Sequence, residues 1–378
     1  MYRPRAEVSI ILPTYNRADT VMRAIDSIIG QTFEDWELIV VDDGSTDYTS
    51  QLTFDFDSRI RLIRQSNQGV AAARNTGIAA STGRLIAFLD SDDEWLPHFL
   101  SLSVAFFNEF PDDQYLTFEF FQDDTDHRMI KGTIVNCYQS IARVIGSDAF
   151  ELPDGQTDDY LRVFHTKHAL GTWATGCSTD REASEAFLYQ GHIFRYTRWG
   201  YFAWLPATVM TRQALELVGR FDASKRSAED YPFQALLARH FRTNFISLPS
   251  ARKHEHGLHS DPLKEDHLAT GPNAYAFRVN RLQYFDQLHW NQNRSDPELS
   301  LLRKHYVYET ACLALRSGFR NKAIALFKEA ACFRNRLWHA YFLVALAVCC
   351  PSDKTASAAY GTLRLVLRVL RQFPWETA

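Results

Sequence analysis

The sequence has few cysteines, little net charge and no long apolar run. Its six cysteines show no CxxC pair or metal-like spacing, which favours reduced thiols and argues against a disulfide framework. A formal net charge of −4 gives no long-range attraction for nucleic acid, so we expect no nucleic-acid partner. The longest apolar stretch, residues 340–350, is shorter than the about 20 residues of a spanning helix, and the first residues lack the apolar run of a signal peptide. These absences predict a cytoplasmic protein without a transmembrane segment.

The composition is typical of a folded protein. Hydrophobic residues make up 46% of the chain and charged residues 23%. A length of 378 residues exceeds the usual size of one hydrophobic core. We therefore predict a large domain over residues 1–262 followed by a helical region over residues 263–378.

Apolar runs and helical patterns alternate along the first hundred residues. The runs predict strands over residues 8–13, 36–41, 60–63 and 84–89. Between them, helical patterns predict helices that start at Val21 and Val70, and a short helix over residues 46–52 capped by Ser45 or Thr46. This alternation predicts an α/β fold with a mostly parallel, doubly wound sheet and flanking helices. Farther along, the patterns predict strands over 117–121 and 203–211, helices over 212–218 and from 229–230, and a helix pair within 301–336.

Polar residues occupy the ends of three predicted strands. These ends are Pro13-Thr14-Tyr15-Asn16, Asp42-Asp43-Gly44-Ser45 and Asp90-Ser91-Asp92-Asp93. In a doubly wound sheet, ligands lie beyond the carboxyl ends of the strands. We therefore expect the three ends to meet at one rim and to form a binding site.

The acidic end of the fourth strand has the chemistry of a metal site. Carboxylates spaced as in Asp90-x-Asp92-Asp93 can hold Mg²⁺ or Mn²⁺ through oxygen and leave coordination positions for phosphates. Such an ion acts as a Lewis acid and neutralises a diphosphate leaving group. The same carboxylates could instead cap the next helix.

Two more groups are candidates for the same rim. Asp42 and Asp43 could accept hydrogen bonds from a base or a ribose, or could belong to a plain strand-to-helix turn. Arg74, beside Asn75, could pair with a phosphate, or could be a solvated helix charge.

A second carboxylate pair and a histidine cluster lie downstream. Glu229 or Asp230 could take the proton from an acceptor hydroxyl, although acidic residues are also ordinary at a helix start. Any of His254, His256 and His259 could touch a phosphate or complete a metal shell, or could be a loop histidine.

Taken in order, these segments closely resemble the family 2 glycosyltransferases with the GT-A fold. The matching stretches are residues 8–17 (VSIILPTYNR), 31–37 (QTFEDWE), 41–47 (VDDGSTD), 67–77 (NQGVAAARNTG) and 88–95 (FLDSDDEW). The resemblance is strong over residues 6–110 and resumes from residue 203 to Asp230. It implies a nucleotide-binding half at 6–110 and an acceptor-side half at 111–262.

The resemblance also implies roles for individual residues. Thr14, Tyr15 and Asp43 would face the nucleotide base, with Asp42 nearby. Asp90 and Asp92 would bind the metal and the ribose-diphosphate, with Asp93 as a candidate second ligand. Asp230 would be the general base. Residues 252–260 (RKHEHGLHS) only approximate the family's usual segment after the base, which leaves His254 and His256 as rivals, with His256 favoured.

The implied activity is an inverting, metal-dependent transfer of a sugar from a nucleoside-diphosphate sugar to an acceptor hydroxyl. The family makes a UDP-sugar the expected donor and a saccharide or lipid-linked saccharide the expected acceptor, with a divalent cation (Mn²⁺ or Mg²⁺) as cofactor. Many relatives build bacterial surface polysaccharides at the cytoplasmic face of the inner membrane. Residues 359–373 form an amphipathic pattern that fits peripheral membrane contact or packing on the chain's own domain.

Two other functions are weighed against this one. A catalytically silent nucleotide-sugar-binding or scaffold protein of the same fold would be expected to have lost one of the two acidic motifs, and both are present. A nucleotidyltransferase would need a glycine-rich, basic loop after the first strand, and residues 13–17 do not supply one.

Overall fold

The computed structural model of the chain describes residues 6–52, 57–122, 157–177, 185–199, 203–225, 227–254 and 272–331. The chain divides into two compact units, Met1–His256 and Gly257–Ala378. The predicted domain boundary at residue 262, His256, His259 and the amphipathic segment 359–373 lie outside the described residues. Within those residues, no helix is both long and apolar enough to cross a membrane.

The first unit contains ten strands and six α-helices in its described part. The strands are β1 (Val8–Thr14), β2 (Trp36–Asp42), β3 (Ile60–Arg64), β4 (Leu85–Phe88), β5 (Glu94–Trp95), β6 (Tyr115–Gln122), β7 (Thr166–Ala169), β8 (Phe187–Gly191), β9 (Thr208–Thr211) and β10 (Thr243–Lys253). The helices are α1 (Val21–Ile29), α2 (Val70–Ala80), α3 (Phe99–Glu109), α4 (Phe194–Thr197), α5 (Arg212–Val218) and α6 (Asp230–His240).

The strands form one sheet in the order β3-β2-β1-β4-β9-β6-β10-β8-β7, with β5 paired to β10. Strands β3, β2, β1 and β4 are parallel to one another, as predicted. Strand β9 runs antiparallel to both of its neighbours, while β6 and β10 are parallel. The α/β fold with flanking helices is confirmed, and the described sheet is parallel over β3, β2, β1 and β4 and mixed as a whole.

The continuous apolar runs of β1 and β2 are explained by burial on both faces of the sheet. Ile10 and Leu12 belong to one core cluster, and Ile11 belongs to another. Neighbouring side chains of a strand point to opposite faces, so each run supplies both cores. Helices α1 and α3 pack in the first cluster, and α2, α5 and α6 in the second.

Two predicted elements differ from the structure. The short helix after β2 is a 3₁₀ turn over Tyr48–Gln51, and its cap is Asp47, whose side chain accepts a hydrogen bond from the Thr49 amide. The strand predicted over residues 203–211 begins only at Thr208, because a 3₁₀ turn over Leu205–Ala207 precedes it. A proline at the second position of that turn favours the fixed φ of a helical turn over an extended strand.

The described part of the second unit is helical, as predicted. Its described helices are α7 (Pro272–Phe285), which continues into a π-helical turn (Asp286–Trp290), α8 (Pro297–Arg316) and α9 (Arg320–Ala331). Asp296 caps α8 by accepting hydrogen bonds from the amides of Glu298 and Leu299. Gly318 lies between α8 and α9 with a φ of 79°.

Candidate active site

Three polar strand ends meet at one edge of the sheet. In the parallel register, Thr14 at the end of β1 is level with Asp42 at the end of β2. Ile11 is level with Phe88 on the other side of β1, so that Asp90 follows β4 at the same edge. The structure thus brings together the three segments that the sequence analysis placed at one rim.

The ends of β1 and β2 are locked together by hydrogen bonds. The Asn16 amide donates to Ser45 Oγ (2.9 Å), and the Asn16 side-chain oxygen accepts from the Thr46 amide (2.8 Å). Asn16 has a φ of 50°, a left-handed conformation that asparagine tolerates better than most residues. Asp42 is buried and accepts a hydrogen bond from the Ser45 amide (2.9 Å). This corner therefore has a fixed shape.

The Asp43 carboxylate holds the start of helix α2. It accepts hydrogen bonds from the side chain of Gln65 (2.8 Å) and from the amides of Gln68 (3.0 Å) and Gly69 (2.8 Å). The amides at a helix start lack partners within the helix, and a negative charge is favourable there. Gly44 has a φ of 80°, and a Cβ at this position would lie 2.8 Å from a backbone nitrogen, so that the turn requires glycine. Asp43 and Gly44 therefore shape the rim.

The end of β1 contributes one exposed and one buried side chain. Tyr15 is 45% exposed, which leaves its ring accessible to a planar ligand. Thr14 is buried, and its hydroxyl has no hydrogen-bond partner among the described residues. Pro13 precedes it in the buried part of the strand.

Each aspartate of the acidic segment after β4 has a different partner. Asp90 pairs with Arg74 (2.7 Å) and Asp92 with Arg17 (3.2 Å). Asp93 is buried and accepts a hydrogen bond from the His254 amide (3.0 Å). Ser91, between them, is buried.

The carboxylates of this segment repel one another. Burial raises the pKa of Asp90; Arg74 opposes this effect, but the charges of Asp92 and Glu229 add to it, and the pKa stays above its ordinary value. Burial, followed by the charges of Asp92 and Asp90, holds the pKa of Asp93 well above its usual range. A bound cation would favour the ionised form of these carboxylates. Within the described part of the chain, however, no group of three or more metal-binding side chains is arranged around a common centre.

The second carboxylate pair, Glu229 and Asp230, is connected to the acidic segment by Arg74. Asp230 is the first residue of α6, as predicted, and Glu229 precedes it in a buried position. Glu229 forms an ion pair with Arg74 (2.6 Å). The preceding residue, Ala228, is buried with a φ of 60°, a conformation that is strained for alanine.

Asn75 binds the backbone of the segment that leads to this pair. Its side chain donates to the Phe221 carbonyl (2.9 Å) and accepts from the Phe221 amide (3.0 Å). The structure therefore places Arg74 and Asn75, predicted to contact the nucleotide sugar, in contact with the segment that carries Glu229.

Strand β5 ties the acidic segment to the end of β10. Glu94 is paired with Arg252 in the antiparallel register, and its carboxylate lies 3.2 Å from His254 Nε2. His254 thus lies beside the acidic segment through both its backbone and its ring, while its rival His256 is not described. Sequence reasoning missed the roles of Arg17 and Arg23; Arg23 donates to the Asp92 carbonyl (2.5 Å). Arg17 follows directly after the polar end of the first predicted strand, and this position could have identified it as a candidate residue of the site.

Comparison with known proteins connects the first part of the chain with one family. Residues 9–165 match the model of glycosyl transferase family 2. An uncharacterized glycosyltransferase of Rickettsia bellii is 44% identical over 106 residues, which are 28% of this chain and 15% of that protein. The Escherichia coli protein named UDP-Glc:alpha-D-GlcNAc-diphosphoundecaprenol beta-1,3-glucosyltransferase WfgD is 45% identical over 100 residues, which are 26% of this chain and 40% of that protein. The chain thus spans less than half the length of the curated relatives that it matches.

A solved structure of residues 1–349 of the Staphylococcus aureus protein TarS, in complex with UDP-GlcNAc, is similar at 15% sequence identity and a TM-score of 0.47. The similarity covers 95% of this chain and 92% of that one.

Proposed function

We propose that this chain, whose residues 9–165 belong to glycosyl transferase family 2, transfers a sugar from a nucleoside-diphosphate sugar to an acceptor hydroxyl with inversion at the anomeric carbon. The observation that carries the proposal is the ion-pair cluster in which Arg74 contacts both Asp90 and Glu229. Through it, the acidic strand end and the Glu229-Asp230 pair lie at one site, although they are far apart in the sequence.

In this mechanism the two sides of the cluster have different tasks. Asp230, at the start of α6, accepts the proton of the acceptor hydroxyl as that oxygen attacks the anomeric carbon. The bond from the anomeric carbon to the diphosphate breaks in the same step, and the nucleoside diphosphate leaves. Attack from the face opposite the leaving group inverts the configuration.

The rim formed by the ends of β1 and β2 would bind the nucleotide. The exposed ring of Tyr15 is available to stack on a base, and the unpartnered Thr14 hydroxyl lies beside it in sequence. Asp42, Asp43, Gly44 and Asn16 give this surface a fixed shape, which lowers the entropy lost on binding.

A divalent cation fits the chemistry of the acidic segment. Asp90 and Asp92 would hold it, and Asp93 or His256 would complete the set of ligands. These carboxylates offer the hard oxygen atoms that Mg²⁺ and Mn²⁺ prefer, and burial together with their mutual repulsion raises the pKa of both Asp90 and Asp93. When bound, the cation would supply charge neutralisation for the departing diphosphate.

The named activity of WfgD suggests where to begin. Its name states a UDP-glucose donor and a diphosphoundecaprenol-linked acceptor. UDP-sugars are therefore the first donors to test, and lipid-linked saccharides are the first acceptors, as expected for an enzyme of surface polysaccharide or glycolipid synthesis.

The test measures release of nucleoside diphosphate from a panel of donors, with Mn²⁺ or Mg²⁺ and a lipid-linked saccharide fraction. Asp230→Asn should abolish transfer and spare donor binding, since it removes the base and keeps the side-chain shape. Excess EDTA should stop the reaction. Asp222→Asn, on the turn before α6, serves as a matched control and should remain active. Near-normal turnover by Asp230→Asn would show that Asp230 is not the base. Full activity in excess EDTA would show that the reaction needs no divalent cation.

A further inference from the structure

Arg74 is a buried cation that joins two distant parts of the chain. It lies on α2 with 4% of its surface exposed. Its Nη2 donates to Asp90 Oδ1 (2.7 Å), and its Nη1 donates to Glu229 Oε1 (2.6 Å). A buried charge is unfavourable unless it is paired, and here each terminal nitrogen has its own carboxylate.

The geometry of the guanidinium fixes the distance between those carboxylates. The group is planar and rigid, so its two terminal nitrogens hold Asp90 and Glu229 in one arrangement. The guanidinium carbon lies 5.4 Å from the centre of the Phe221 ring, within the range of a cation–π contact. The neighbouring Asn75 binds the Phe221 backbone through two hydrogen bonds. Two consecutive residues of α2 therefore hold the segment that leads to Glu229.

The charge of Arg74 is retained despite burial. Burial lowers the pKa of its guanidinium, but the charges of Asp90, Glu229 and Asp230 outweigh burial and raise it above the ordinary value. Asp230, which contributes to this effect on Arg74, follows Glu229 directly at the start of α6. Arg74 thus faces the carboxylates assigned to both sides of the reaction.

We propose that Arg74 is a positioning residue, which holds the donor-side carboxylate Asp90 and the acceptor-side pair Glu229-Asp230 at a fixed separation. This inference rests on the proposed sugar transfer. The sequence suggested a phosphate contact for Arg74, and the structure shows both of its terminal nitrogens bound to carboxylates. Its effect on the reaction is exerted through Glu229 and the start of α6.

A double-mutant cycle tests this role, with Arg74→Gln, Glu229→Gln and the double variant assayed for kcat and donor KM. A displacement of about 1 Å in an active site can lower the rate about 10²-fold, so each single variant should lose about that factor in kcat. Because the two residues act as one unit, the double variant should also lose about 10²-fold and not about 10⁴-fold. The donor KM should stay close to the wild-type value. Arg74→Lys should not restore kcat, because one ammonium group does not replace the two-pronged contact.

The matched control is Arg242→Gln. Arg242 forms a two-pronged ion pair with Asp113 (2.6 and 3.2 Å). Arg242 directly precedes β10, and Asp113 lies just before β6. These two strands are parallel, so the ion pair lies at the edge of the sheet opposite the strand ends that form the site. This variant loses an arginine–carboxylate ion pair away from the site and should keep its kcat. If Arg74→Gln does not fold, Arg74→Lys, Glu229→Gln and their double variant provide the same cycle.

The outcomes separate the two proposals. Multiplied losses in the double variant, or a loss confined to donor KM, would overturn the positioning role while leaving the transferase activity established. A wild-type chain that transfers sugar from no donor would overturn the proposed function, and the positioning role with it.

Discussion

Gly77 allows α2 to lie close against β1, and its replacement by alanine tests this packing. A Cβ at this position would lie less than 3.0 Å from Ile11 Cγ2 and 3.2 Å from Ile11 Cγ1. Carbon atoms in proteins pack at about 3.5–4.0 Å. Ile11 is fully buried in β1, with Ile39 and Phe88 level with it on the two neighbouring strands. The strand is held on both sides, so α2 must move outward.

The size of the effect follows from two opposing contributions. Overpacking a core lowers the free energy of unfolding by about 1–3 kcal/mol, and replacing a helical glycine by alanine raises it by about 1 kcal/mol. For so close a contact we expect a net loss of about 1–2 kcal/mol, or a fall in Tm of about 2–8 °C for a unit of this size. Denaturant unfolding with an unchanged m-value measures the loss. Activity should fall as well, since Arg74 lies one turn before Gly77 on the same helix.

The Ile11→Ala background provides the control. This substitution removes both Cγ atoms and by itself should lower the free energy of unfolding by about 2–5 kcal/mol. Gly77→Ala should then be less destabilising than in the wild type, because its methyl group has room, and the double variant should lose less than the sum of the single losses. A Gly77→Ala protein as stable as the wild type would refute the reasoning.

Two further predictions concern stability. Burial raises the pKa of Glu37, but hydrogen bonds from Ser9 and Thr82 outweigh burial and leave it below the usual value of 4.5. The ionised carboxylate therefore stabilises the fold above that pH and ceases to do so as the pH falls through the folded-state pKa, so Glu37→Gln should flatten the acid side of a plot of unfolding free energy against pH. Ala228→Gly should leave that free energy unchanged or raise it by up to about 1 kcal/mol in denaturant unfolding, because it relieves a left-handed alanine. Ala235→Gly, at a buried helical position, should lower it by about 1 kcal/mol or more.

The sequence was sufficient to predict the first part of the fold, from β1 to β4. Apolar runs of the right length gave β1 and β2, and the predicted helix α2 ends at Ala80 in the structure. Once those strands are parallel, their carboxyl ends must share an edge. The meeting of Thr14, Asp42 and Asp90 at one rim therefore followed from local patterns alone.

Local patterns did not identify the correct helix cap after β2, because several neighbouring residues could fill that role. Ser45, Thr46 and Asp47 are all good helix caps, and only the bonds at the β1–β2 corner decide among them. Ser45 binds the Asn16 amide and Thr46 binds the Asn16 side chain, which leaves Asp47 to cap the turn. The choice depends on a residue about 30 positions away, beyond the range of local patterns.

The contact between Arg74 and Glu229 could not be predicted from local sequence patterns either. The two residues are 155 positions apart, and an arginine in an alanine-rich helix is indistinguishable from a solvated charge until the fold buries it. The fold also gives α2 a place that no single motif shows. Asp43 holds its start, Gly77 sets its distance from β1, and Arg74 connects the two acidic motifs. A substitution at Arg74 or Gly77 should therefore affect both sides of the proposed reaction together.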